Sequence, residues 1–386
     1  MTQRIYLDNA ATTPARPEVV EAMLPHFTRN GYNPSSLHAE GRAARAALDD
    51  ARDRVARALG ADRKEVIFTG SGSEADNLAV LGVARALRAR GRHAISTVIE
   101  HHAILHPLDA LRAEGWDVTL LPVSPDGLLD PQAFAAALRP DTVLASIAYA
   151  NNEIGTVQPI RELATIARGA GVLLHTDAVQ AAAYLPLDVA DLGVDLLSIS
   201  AHKFYGPKGV GALYVRAGTE LEPLVVGGSQ EFAKRAGTEN VAGIVGMAVA
   251  LEYVAAGRPS IGPRVAALRD AFEAAVLERV PGTRVNGRGA PRLPNNANLS
   301  FTGVRSEHVL IRLDIEGIAV SAGSACTSGA LEPSHVIAAL GLPPEWMSGV
   351  IRFSLGESTT AGEIDRVLEV LPRAIEELRE FSPIPA

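Results

Sequence analysis

The sequence predicts an α/β fold, with a mostly parallel sheet covered by helices and a smaller α+β domain after it. Three observations carry this expectation. From about residue 40 to 215, apolar strand-like runs alternate with helical segments, many of ten or more residues, and such connections are the crossovers that parallel strands require. Runs such as VLASIAYA at 143–150 are apolar throughout, as suits strands covered on both faces. From about residue 257 long helices frame shorter strands instead.

Taken in chain order, Ala39 to Leu59 has helical spacing and stops at Gly60. Glu65 to Thr69 reads as a strand, Ser73 to Arg90 as a helix, His93 to Ile99 as a strand and Ala103 to Glu114 as a helix. Trp116 to Pro122 is a strand, Pro131 to Leu138 a helix and Thr142 to Ala150 a strongly apolar strand. Ile160 to Gly169 is helical and Val172 to Thr176 a strand, while strands at Asp195 to Ser200 and Gly211 to Val215 flank a Gly-rich turn. Beyond that, helices at Val265 to Val280 and Ala361 to Arg379 frame strands near Asn298 to Phe301, Ile318 to Ser321 and Val350 to Phe353. With 386 residues the chain can form two packed domains. The expected division is 16–256 for the larger, and 1–15 with 257–386 for the smaller.

The net charge of −8 and the lack of a basic run argue against a nucleic-acid partner. The longest apolar runs are too short to span a bilayer, and MTQRIYLDNAATTP lacks the pattern of a secretory signal. A lone cysteine cannot form an internal disulfide. The expectation is a soluble, cytoplasmic protein without a membrane partner.

Two strand ends carry chemistry. In DLLSISAHKFYGPKG, Lys203 lies just past a strand, at the carboxyl end where open parallel sheets bind ligands. A lysine crowded there can serve as an amine nucleophile. In HTDAVQ, Asp177 ends a neighbouring apolar strand. An acid so placed is often only a helix cap, but a pyridoxal phosphate (PLP) site needs a carboxylate against its ring nitrogen. The pair is more specific than either member.

FTGSGSEADN at 68–77 runs from strand into helix. Gly70 and Gly72 let a ligand approach the backbone, Ser73 is the expected N-cap with Asp76 completing a capping box, and the helix start offers an anion site. No third glycine makes a dinucleotide fingerprint and no lysine makes a Walker loop. What remains is a phosphate cup without a nucleotide signature.

These segments occur in the order of a known set: YLDNAATTP, NPSSLHAEGR, TGSGSEADN, EHHAIL, NNEIGTVQPI, HTDAVQ, SAHKFYGPKGVG, RAGTEN, SAGSACTSGALEPSHV and IRFSLG. The chain resembles the NifS/IscS-type cysteine desulfurases of the class V aminotransferase group nearly from end to end. The resemblance implies a PLP-transferase large domain with a seven-stranded type of sheet. It implies that Lys203 carries PLP as a Schiff base, that Asp177 pairs with the ring nitrogen, and that Gln180 and Asn152 bond near its 3′ oxygen. Gly72, Ser73, Ser200 and His202 then hold the phosphate, and Thr238 reaches the phosphate of a neighbouring subunit, which makes a homodimer. His101 stacks on the ring and moves protons. Arg352 holds the carboxylate of L-cysteine, with Asn33 and Asn152 as candidate helpers. The residues agree in part: Arg352 in the apolar VIRFSL needs an anion, with an internal salt bridge as the blander alternative, and His101 follows a strand as a proton carrier would. His102 reads as structural, and Asn151 and Glu153 as turn-shaping. Ser229, Phe232 and Ala233 depart from the family's pattern, so no role is assigned there.

Small residues surround Cys326, which suits a mobile thiol better than a packed core residue. The implied reaction moves the sulfur of L-cysteine onto Cys326 as a persulfide and releases L-alanine. No second cysteine can take the sulfur, so an external acceptor is implied, in this family often an iron–sulfur scaffold. One cysteine is too few ligands for a permanent metal site, although the resemblance allows Cys326 to contact a cluster transiently. The rival readings are selenocysteine lyase, an aminotransferase with no need of Cys326, and a non-catalytic sulfur carrier or scaffold with no need of Lys203.

Overall fold

The computed structural model describes residues 4–323 and 334–380. Strand β1 (Ile5–Tyr6) is not part of the large sheet. That sheet is built from β2 (Val66–Thr69), β3 (His93–Thr97), β4 (Asp117–Leu121), β5 (Thr142–Ser146), β6 (Leu173–Asp177), β7 (Leu196–Ser200) and β8 (Gly211–Val215), in the order β2-β8-β7-β6-β5-β3-β4. Pairs from β4 across to β7 are parallel, while β8 runs antiparallel to both its neighbours. The mostly parallel sheet is therefore as predicted. β2, β3, β5, β7 and β8 are buried along their whole length, which is why none of them alternates between apolar and charged positions.

A second group of strands follows: β9 (Thr283–Val285), β10 (Asn296–Phe301), β11 (Ile318–Ala319) and β12 (Val350–Ser354). β12, β10 and β9 form an antiparallel sheet, and β1 pairs in parallel with β11. Phe272, Phe301, Phe353, Val276 and Leu371 fill the core under these strands. A separate core around Leu48, Phe134, Leu174 and Phe204 packs one face of the large sheet.

The helix expected at Val265 begins at Val241 and runs unbroken to Arg279. Its first half buries Ile244, Met247 and Leu251 in the large core, and its second half buries Val265, Phe272 and Val276 in the other. Pro259 and Pro263 both lie inside it. Both lie on the exposed side of the helix, where carbonyls left without a helical donor can meet water. By length and composition this helix could cross a membrane, but burial in two protein cores accounts for its apolar faces.

Candidate active site

Every parallel strand that carries a predicted site residue delivers it at its carboxyl end. A cleft of about 240 Å³ is lined by Gly72 and Ser73 after β2, His101 after β3, Asn152 after β5, Asp177 and Gln180 at the end of β6, and Ser200, His202 and Lys203 at the end of β7. Ala10 and Ala11 from the N-terminal segment and Arg352 from β12 close it. The cleft therefore sits where side chains of the large sheet meet a wall from the small one.

Lys203 donates through Nζ to the carbonyls of Ala10 and Ala11, each at 2.7 Å. Gln180 donates to the Ala10 carbonyl at 2.9 Å. YLDNAATTP thus supplies the acceptors that aim the amine. That role was invisible in the sequence because main-chain carbonyls leave no residue signature.

Asp177 accepts from the Val179 N–H at 2.9 Å. Burial pushes its carboxyl up to about 6, and the Val179 N–H and the Lys203 amine pull it back. Two further acids are buried near it. Glu100, pushed up to about 8 by burial, accepts from Thr97 and from the Ala148 N–H. Asp76 is held well above the usual carboxylate range by burial, then by Asp177. Sequence reasoning assigned a site role to neither.

The phosphate cup is capped one position pair earlier than expected. Ser71, not Ser73, is the N-cap and accepts from the Glu74 N–H, while Glu74 accepts from the Gly70 N–H at 2.7 Å. Asp76 is no cap, because it faces the buried floor of the cleft. The helix Gly72–Asn77 continues through a π turn (Leu78–Gly82) to Ala86. A Cβ on Gly72 would lie 2.8 Å from Val179 and 3.0 Å from Ser200. Glycine there lets the helix start press against the end of β7, and Ser73 and Ser200 line the cleft with it. His202 is steadied by Thr12 at 3.1 Å.

His101 caps the helix His102–Ala113 by accepting from the Ala103 N–H through Nδ1 at 3.0 Å, so its hydrogen is on Nε2. Burial, then Lys203, pulls it down to about 4. His102 stacks instead on His106 and packs against His335, with ring centroids at 4.8 and 4.9 Å, in keeping with a structural role. Asn151 shapes its turn by accepting from the Glu153 and Ile154 N–H groups.

Arg352, 1% exposed, donates to Asp8 at 3.0 Å and to the Asn152 carbonyl at 2.8 Å, and its Nε has no partner among the described residues. The internal salt bridge weighed as the blander alternative is present. Asn33 is not brought to the cleft: it is exposed and accepts from the Ser35 N–H at 2.9 Å. Thr238 is also exposed and outside the cleft lining, although Arg235, three residues before it, is bonded to Glu74 of the cup at 2.8 Å. Cys326 lies outside the described residues.

The class V aminotransferase pattern matches residues 5–367. "Cysteine desulfurase IscS" of Dictyoglomus turgidum is 51% identical over 99% of this chain and 97% of its own length. A protein of the same description from Methanosarcina thermophila is 48% identical, over 98% of this chain and 94% of its own. The chain belongs to the IscS/NifS-type cysteine desulfurases. Among solved structures, a "NIFS-LIKE PROTEIN" superposes with a TM-score of 0.91 at 34% identity, covering 97% of this chain and 100% of the other. "SspA in complex with cysteine" superposes with a TM-score of 0.82 at 36% identity, covering 92% and 100%.

Enzymes of this cysteine desulfurase group act through PLP, and the cleft fits that molecule on its own chemistry. It offers an amine, a carboxylate on the floor below, and a glycine-lined helix start with two hydroxyls for a phosphate.

Proposed function

We infer that the chain takes the sulfur of L-cysteine onto Cys326 and releases L-alanine, as a PLP-dependent cysteine desulfurase. The observation that carries this is the meeting of Lys203, Asp177, His101 and Arg352 in one cleft, in a chain with a single cysteine. When bound, PLP withdraws electrons from the substrate carbon skeleton and so weakens its bond to sulfur. Lys203 would hold the cofactor, Asp177 its ring nitrogen, and Gln180 and Asn152 the region of its 3′ oxygen. Gly72, Ser73, Ser200 and His202 would hold its phosphate.

The remaining work falls to the chain. Arg352 holds the substrate carboxylate, and the bond it already makes to Asn152 fixes its plane. His101, uncharged and carrying its hydrogen on Nε2, can pass a proton across the cleft. The thiolate of Cys326 attacks the substrate's sulfur. An S–S bond forms, the C–S bond breaks with its electron pair left on carbon, and a proton then completes alanine. The sulfur goes on to an acceptor protein such as an iron–sulfur scaffold. A cytoplasmic homodimer fits the lone thiol, the exposed Thr238, and the exposed apolar Leu37 and Val226.

The test is mass spectrometry after incubation with L-cysteine, with Cys326→Ser alongside. The expected result is a one-sulfur adduct on Cys326, with sulfide release lost in the variant while cofactor absorbance stays. Full sulfur transfer by Cys326→Ser would overturn the reading.

A further inference from the structure

Asp76 is a second acid in the floor of the cleft, with no part in the reaction as drawn. It is 2% exposed and lines the cleft together with Asp177. Its Oδ1 has no hydrogen-bond partner among the described residues and lies 3.7 Å from Nε2 of His175. That histidine offers little counter-charge. Ser198 takes Nε2 and Ser146 takes Nδ1, each at 2.9 Å, and burial pulls the imidazole down to about 3. The other groups around Asp76 are Asp177 and Glu100, both acids, and the Ser198 hydroxyl. Asp177 is differently placed, since it has the Val179 N–H and the nearby Lys203 amine. Two adjacent buried carboxylates sharing one cation cannot both stay ionised at modest cost.

We propose that Asp76 is a positioning residue: an uncharged acid, tied through Ser198 to His175, that leaves Asp177 as the single anion in the floor of the cleft. The proposal rests on the reading of the cleft as a PLP site. One anion below the ring holds one proton at the ring nitrogen. A second would draw the neighbouring Lys203 amine toward the floor and away from the Ala10 and Ala11 carbonyls that aim it. The acid is thus a spacer that fills the floor, keeps water from Asp177 and adds no charge.

The experiment uses the cofactor-loaded enzyme and two readouts. The first is the pH midpoint of the cofactor's visible absorbance, which a nearby anion raises by favouring the protonated form. Asp177→Asn removes the anion and lowers this midpoint by about one pH unit or more, whereas Asp76→Asn, which only replaces one neutral group by another, leaves it within about 0.3 unit. The second is infrared spectroscopy in heavy water: Asp76→Asn removes one un-ionised carboxyl band and Glu100→Gln removes another. Asp76→Ala, with the spacer gone, weakens PLP binding by about tenfold, and Asn restores it. A midpoint that falls as far in Asp76→Asn as in Asp177→Asn, an infrared band that survives in Asp76→Asn, or an Asn variant no better than Ala would each overturn the proposal. A wild-type protein with no cofactor absorbance would overturn the PLP reading instead, and the infrared arm still scores Asp76 on its own.

Discussion

The guanidinium of Arg352, which lines the cleft, is paired with the carboxylate of Asp8, 3.0 Å away. A substrate carboxylate that binds Arg352 must displace Asp8 or share the arginine with it. Asp8→Asn removes the charged competitor, so KM for L-cysteine falls by about threefold or more, while Arg352→Lys loses the planar fork and raises KM by about 100-fold. Steady-state kinetics check both. A tenfold rise in KM for Asp8→Asn would instead make Asp8 the group that aims Arg352.

Glu100 ties stability to pH. Its folded value, about 8, stands above the ordinary 4.5, so its contribution is complete below about pH 4.5 and is lost as pH rises through 8. Between pH 6.5 and 8 each such proton is worth about 1.4 kcal/mol per pH unit. The cofactor-free protein therefore loses stability over that range, and Glu100→Gln loses less. Urea melts at pH 6.5 and 8.5 make the comparison; parallel losses in the two proteins would refute it.

His101 works as a neutral ring. Held near 4 by burial and Lys203, it does not titrate between pH 5.5 and 8, so no limb of the kcat/KM profile in that range belongs to it. His101→Ala lowers kcat by about 100-fold or more while cofactor absorbance persists. A limb near pH 6.5 that disappears in the variant would contradict the assignment.

The segment that departs from the family pattern is strained. Glu231, Phe232 and Ala233 have φ of 45°, 58° and 60°, in the left-handed region that L side chains avoid. They are held there by the buried pair of Arg52 and Glu231, with contacts of 2.5 and 2.8 Å, and by Glu231 accepting from the Phe68 N–H. Ala233→Gly relieves one of these positions and raises stability by about 0.5–1 kcal/mol. Glu231→Gln leaves Arg52 buried beside a neutral group and lowers it by about 3 kcal/mol. Chemical denaturation reads both.

The large sheet was legible because burial on both faces removes alternation, and Lys203 and Asp177 because a polar residue after such a run marks a strand's carboxyl end. The cup shows where reading stops. Ser71 with Glu74, and Ser73 with Asp76, are equally good capping pairs in TGSGSEAD. Only the burial of Asp76 in the floor decides between them. Asp8 and the Ala10 and Ala11 carbonyls depend on long-range packing, and no local pattern announces them. Asn33 was placed in the cleft by resemblance alone, and the chain holds it at the surface.

The helix Val241–Arg279 is about 58 Å long at 1.5 Å per residue and serves both hydrophobic interiors as a common girder. Lys203 follows a strand of the large sheet and Arg352 sits on a strand of the small one, so the rod joins the two interiors that supply the walls of the cleft. Gly257, Pro259, Gly262 and Pro263 gather within one short stretch of it, where the lattice of helical bonds is thinnest. That stretch is the part of the rod that resists bending least.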